Sequence, residues 1–178
     1  MGFYFNPSNR KFASSLRSEI YVDKSGIIAN TNEVLDTEQK YICISRPRRF
    51  GKTMAANMLA AYYSRGCDSY EMFINLNIAK DPSFKENLNK YNVIFLNMQE
   101  FLSESSNIEN MLEIIKDRVI SDILEVYTEI NMNYTKMSLA YILQIIFRIS
   151  KIPIVFIIDE WDCIFREYQK NETSQEFI

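Results

Sequence analysis

The sequence predicts an α/β fold in which a parallel sheet is flanked by helices in three layers. Two observations predict it. Short β-rich runs alternate with longer stretches of helical periodicity. In addition, "IVFII" (residues 154–158) is continuously apolar and rich in β-branched residues, as suits a parallel strand covered on both faces. With 178 residues, 47% of them hydrophobic, the chain has material for one domain with a sizeable core.

The elements follow in order. "KYICIS" (residues 40–45) has the pattern of a strand, stopped by Arg46 and Pro47, which cannot continue a central ladder. "KTMAANMLAAYYSRG" (residues 52–66) follows as a helix, with Ala55, Leu59 and Tyr62 on one face and Gly66 as the C′ residue. Residues 67–90 are less regular, with short helices expected around 69–76 and 83–89. "NVIFLNM" (residues 92–98) is a second strand. Ser106 and Glu109, in capping-box spacing, then open a long helix expected to end near Asn131. Its residues Ile108, Met111, Leu112, Ile115, Val119, Ile123 and Val126 recur at helical intervals. A further helix over 138–150 turns Leu139, Ile142, Leu143 and Ile146 inward, and the run 154–158 ends in Asp159, Glu160 and Asp162 around Trp161.

Composition removes several function classes. The formal net charge of -3 gives no global attraction to nucleic acid or anionic membrane, so such a contact would need the local cluster Arg46, Arg48, Arg49 and Lys52. The chain has no histidine, which excludes Ser-His and Cys-His catalysis. Cys43, Cys67 and Cys163 are far apart, arguing against a zinc site and for three small buried hydrophobes in a reducing compartment. No apolar run approaches the ~20 residues of a membrane span, and Asn6 stands where a myristoylation signal wants Ser or Thr. A soluble cytoplasmic protein is the expectation.

The chemistry concentrates in "SRPRRFGKTM" (residues 45–54). In the pattern G-x-x-x-x-G-K-[ST], Gly51, Lys52 and Thr53 fill the last three fixed places and Arg46 replaces the first glycine. Such a loop works because backbone N–H groups at a helix N-terminus surround phosphates, a lysine offsets their charge and a hydroxyl holds magnesium. An L-residue forced into left-handed geometry at Arg46 costs about 1–2 kcal/mol, and Pro47 supplies rigidity in the glycine's place. Asp159 and Glu160 at the end of a buried strand complete the set: the aspartate orients magnesium and the glutamate polarises the attacking water. Together they specify a P-loop NTPase. Arg48 and Arg49 are solvated loop charges, or phosphate or nucleic-acid contacts. Trp161 is assigned to packing ahead of base stacking.

"YVDKS" (residues 21–25), "SRPRRFGKTM", "AAYYSRGCDS" (residues 60–69) and "IIDEWD" (residues 157–162) resemble, in this order, the bacterial AAA-ATPase-like proteins. Their loop typically reads R-P-R-R-F-G-K-T, so Arg46 matches the family pattern. The resemblance implies a P-loop domain with ATP and Mg2+ as cofactors. Arg46, Pro47, Arg48, Arg49, Phe50, Gly51, Lys52 and Thr53 would hold the nucleotide, Thr53 and Asp159 the metal, and Glu160 would be catalytic. It also puts Asp23 and Lys24 near the base side of the nucleotide, against the alternative of an ordinary surface turn.

Many relatives carry a PD-(D/E)XK nuclease-like domain after the ATPase, and their sheets continue with further strands, one of them between the two motif strands. The expectation is therefore an N-terminal extension (1–39) packed on an ATPase-like core (40–178) that stops after the second motif with an incomplete sheet prone to self-association. Two rival readings stand beside ATP hydrolysis: a small-molecule kinase on the same fold, and a non-catalytic fragment acting as a binding or assembly module.

Overall fold

The computed structural model describes residues 2–45, 47, 49–130 and 137–166. In chain order its elements are α1 (Arg10–Leu16), α2 (Gly26–Val34), α3 (Lys52–Tyr63), α4 (Tyr70–Phe73), a 3-10 turn (Asn77–Lys80), α5 (Phe84–Asn87), β1 (Asn92–Asn97), α6 (Met98–Glu104), α7 (Ile108–Val126), α8 (Leu139–Ser150) and β2 (Ile154–Asp159). β1 and β2 pair in parallel, with Asn92 opposite Ile154 and Asn97 opposite Asp159.

Alternation along the strands divides the core into two layers. Val93, Phe95 and Ile157 join Met58, Leu59, Tyr62 and Tyr63 of α3, together with Phe12, Ile28 and Phe73. Ile94 and Leu96 face the other way, into Phe101, Met111, Ile115, Val119, Ile123, Ile142 and Ile146. Helices therefore cover both faces of a parallel sheet, as the sequence predicts. Among the described residues no helix is long and apolar enough to cross a membrane.

The free edge of β1 is occupied by the N-terminal segment. Phe5 bridges Ile94 in antiparallel fashion, the Asn6 N–H donates to the Val93 carbonyl at 2.7 Å, and the Phe95 N–H donates to the Tyr4 carbonyl at 2.8 Å. A buried carboxylate on α7 pins this segment: one oxygen of Asp122 accepts the N–H groups of Tyr4 (2.5 Å) and Phe5 (3.1 Å).

Several boundaries differ from the sequence-based expectation. Residues 40–45 form no strand; they are irregular and largely solvent-facing, with Tyr41 86% exposed. β-propensity marks a segment that fits a sheet, but a strand exists only where a ladder partner takes its N–H and C=O groups. Among the described residues the far edge of β2 carries no such partner. Nor is the run 154–158 buried throughout: Phe156 and Ile158, on the face opposite Ile157, are about half exposed.

The long helix α7 is capped by Asn107, whose side chain accepts the Asn110 N–H at 2.8 Å, while the Asn110 side-chain oxygen accepts the Ser106 N–H at 3.2 Å. This reciprocal pair sits one residue beyond the expected Ser106/Glu109 box. The helix ends at Val126, short of Asn131, which lies outside the described residues. α3 ends at Tyr63 with Ser64 extended, so Gly66 is not its C′ residue. Gly66 instead makes room for the N-terminal segment, since a Cβ there would lie 3.1 Å from the Asn6 carbonyl oxygen. Of the three cysteines only Cys163 is fully buried, and Cys43, on the irregular 40–45 segment, is exposed.

Candidate functional site

The site begins at the N-terminus of α3. Gly51 is its N-cap, at φ 78° and ψ 30°, a left-handed conformation open to glycine without steric penalty. Arg49 is also left-handed, at φ 68°, where an L-residue costs about 1–2 kcal/mol. Arg46, at which the sequence predicts that strain, and Arg48 lie outside the described residues. Pro47, Arg49, Phe50 and Thr53 are exposed, while Gly51 and Lys52 are half-buried.

α3 packs on both strands, and its last turn is fixed beside the start of β1 by the Tyr91 N–H donating to the Tyr63 carbonyl at 3.0 Å. Twelve helical residues span about 18 Å and six strand residues about 20 Å. The first turn of α3, with Lys52 and Thr53, therefore lies at the carboxyl end of the strands, the end that carries Asn97 and Asp159. In open α/β sheets that end is where ligands bind.

Asp159 is 5% exposed. Its Oδ1 accepts the N–H of Glu160 at 3.0 Å, whereas its Oδ2 is buried without a hydrogen-bond partner among the described residues. A buried carboxylate oxygen in that state calls for an explanation, and a hard cation supplies one. No cluster of three or more His, Cys, Asp or Glu gathers among the described residues. Magnesium at a phosphate site does not need one, because it takes one or two protein oxygens and fills its octahedron with phosphate and water. Asp159 and the exposed Thr53 hydroxyl fit that donor set.

Glu160 is the next residue and has φ 53°. Its carboxylate pairs with the Arg166 guanidinium at 3.4 Å, and the same arginine reaches Asp162 at 3.5 Å. Arg166 escaped the sequence analysis. Its signal was the i,i+4 spacing from Asp162, visible only once residues 163–166 are known to be helical. Trp161 is half-exposed and meets Phe165 edge to face at 5.9 Å.

"YVDKS" lies against the loop itself. Asp23 accepts the N–H of Ser25 at 2.8 Å and of Asn77 at 2.7 Å, strapping the start of α2 to the 3-10 turn. Burial pushes its carboxyl up, but these N–H donors, the Ser25 hydroxyl and the charge of Lys80 together hold it below the usual carboxylate value. Lys24 donates to the Phe50 carbonyl at 2.7 Å.

A family model described as Predicted AAA-ATPase matches residues 11–178. No curated protein and no solved structure matches the chain.

Proposed function

This chain belongs to the AAA-ATPase-like family, and on that premise we propose that it binds ATP with magnesium at residues 46–53 and hydrolyses it. The observation that carries this reading is the buried Asp159 carboxylate, whose Oδ2 has no hydrogen-bond partner among the described residues, at the strand end where α3 begins. Backbone N–H groups at the N-terminus of a helix point outward along its axis, and those opening α3 would donate to the phosphate oxygens. The Lys52 ammonium offsets charge on the outer phosphates, and Pro47, Phe50 and Gly51, with Arg46, Arg48 and Arg49, complete the cradle. Thr53 and Asp159 would hold magnesium, which when bound neutralises the phosphates and orients the terminal one. Glu160 would accept a proton from the attacking water.

Titration calorimetry tests the reading. The wild-type chain takes up ATP in magnesium, chelation weakens uptake, and Lys52→Ala and Asp159→Asn each weaken it at least tenfold, about 1.4 kcal/mol. Equal affinities for the wild type and Lys52→Ala would remove the phosphate loop from consideration.

One observation favours a second reading, nucleotide binding without turnover. One oxygen of the Glu160 carboxylate, Oε2, pairs with Arg166 at 3.4 Å, and that arginine competes with water for it. A steady-state phosphate-release assay separates the two readings, with Glu160→Gln as the catalytically silent reference.

A further inference from the structure

Lys24 belongs to no part of the phosphate-loop pattern and is distant from it in sequence, yet its ammonium donates to the Phe50 carbonyl at 2.7 Å. The backbone that carries it is held from both sides. Asp23 accepts the N–H groups of Ser25 and Asn77, and the fully buried Ser25 takes the Ile78 N–H on its hydroxyl oxygen at 3.1 Å. The lysine therefore reaches the loop from an anchored position.

The consequence lies in the peptide that it grips. No peptide bond among the described residues is cis, and in a trans peptide the C=O and N–H point in opposite directions. Drawing the Phe50 carbonyl toward Lys24 turns the Gly51 N–H away from the ammonium. A cation on the carbonyl also polarises the peptide and strengthens its N–H as a donor. The packing is close: a Cβ on Gly51 would lie 3.0 Å from the Lys24 Nζ. Glycine at this place thus satisfies both the left-handed φ and the approach of the ammonium.

We infer that Lys24 is a positioning residue for phosphate binding: it does not touch the nucleotide, but fixes the Phe50–Gly51 peptide so that the Gly51 N–H is presented to a phosphate oxygen. This role rests on the nucleotide reading above. It also separates Lys24 from Lys52, which meets phosphate charge directly.

Two readouts on the full chain test it. In the nucleotide-free protein, the Gly51 amide resonance in a 15N-correlated spectrum moves in Lys24→Ala and returns toward its wild-type position in Lys24→Arg, which keeps a cationic donor. In magnesium-ATP titrations Lys24→Ala loses about tenfold in affinity while keeping a cooperative melt, and Lys24→Arg stays within roughly threefold of wild type. A Gly51 resonance that does not move in Lys24→Ala, or an unchanged ATP affinity, overturns the proposal. If the wild-type chain takes up no ATP, the nucleotide reading falls, and the role of Lys24 toward phosphate with it. The Gly51 resonance, recorded without nucleotide, still reports whether the lysine sets the peptide.

Discussion

Replacing Asp122 by alanine tests what holds the N-terminal segment to the sheet. One carboxylate oxygen accepts the N–H groups of both Tyr4 and Phe5, at 2.5 and 3.1 Å, and Asp122 is only 7% exposed. A buried donor left without its acceptor costs about 1–3 kcal/mol. The Phe5 bond is buried and bears that penalty in full, while the part-buried Tyr4 N–H recovers some of it from water. The expected loss is about 3 kcal/mol. Detaching the segment would not lower it much, since that exposes the Phe5 ring, worth about 1.5–3 kcal/mol, and gives up the bonds to Val93 and Phe95. With a urea slope of about 2 kcal/mol/M, the unfolding midpoint of Asp122→Ala falls by roughly 1.5 M. Both bonds end on the same oxygen, so Asp122→Asn keeps an acceptor and loses only its charge, for about 1 kcal/mol. A midpoint for Asp122→Ala within about 0.3 M of wild type, or an asparagine variant as unstable as the alanine one, would refute the anchoring role.

Three further outcomes are expected. Gly51→Ala places an L-residue at φ 78°, so it loses about 1–2 kcal/mol and melts roughly 3–6 °C lower; an unchanged calorimetric melt would contradict the left-handed turn. Burial pushes the Tyr62 phenol up to about 12 and that of Tyr63 higher still. The folded chain therefore keeps protons that the unfolded chain releases near pH 10, and this stability is present below about pH 10 and lost as pH rises toward 12. Denaturation midpoints across that range should show a shallower alkaline loss in Tyr62→Phe, and identical slopes would count against it. Finally, Arg166→Ala removes the partner of Glu160 and should raise phosphate release in any form of the chain that turns ATP over, whereas lowered release would assign the arginine a direct part in the reaction.

Features that depend on local chemistry can be read along the chain. The apolar runs of β1 and β2, the helical periods of α7 and α8, the Gly51-Lys52-Thr53 turn and the acids closing β2 are legible there, because each is a property of neighbours along the chain. Tertiary structure decided what depends on partners far apart in sequence. Residues 40–45 carry a strand's composition yet form none, since ladder pairing is a relation between segments, and β1 took its neighbours from β2 and from residues 4–6. Pairing of Lys24 with the Phe50 carbonyl spans 26 positions, and no periodicity reports such a bond. Burial likewise left one oxygen of Asp159 without a partner among the described residues, a consequence of how the elements pack around the end of β2, where side chains drawn from distant parts of the chain determine which polar atoms can reach one another.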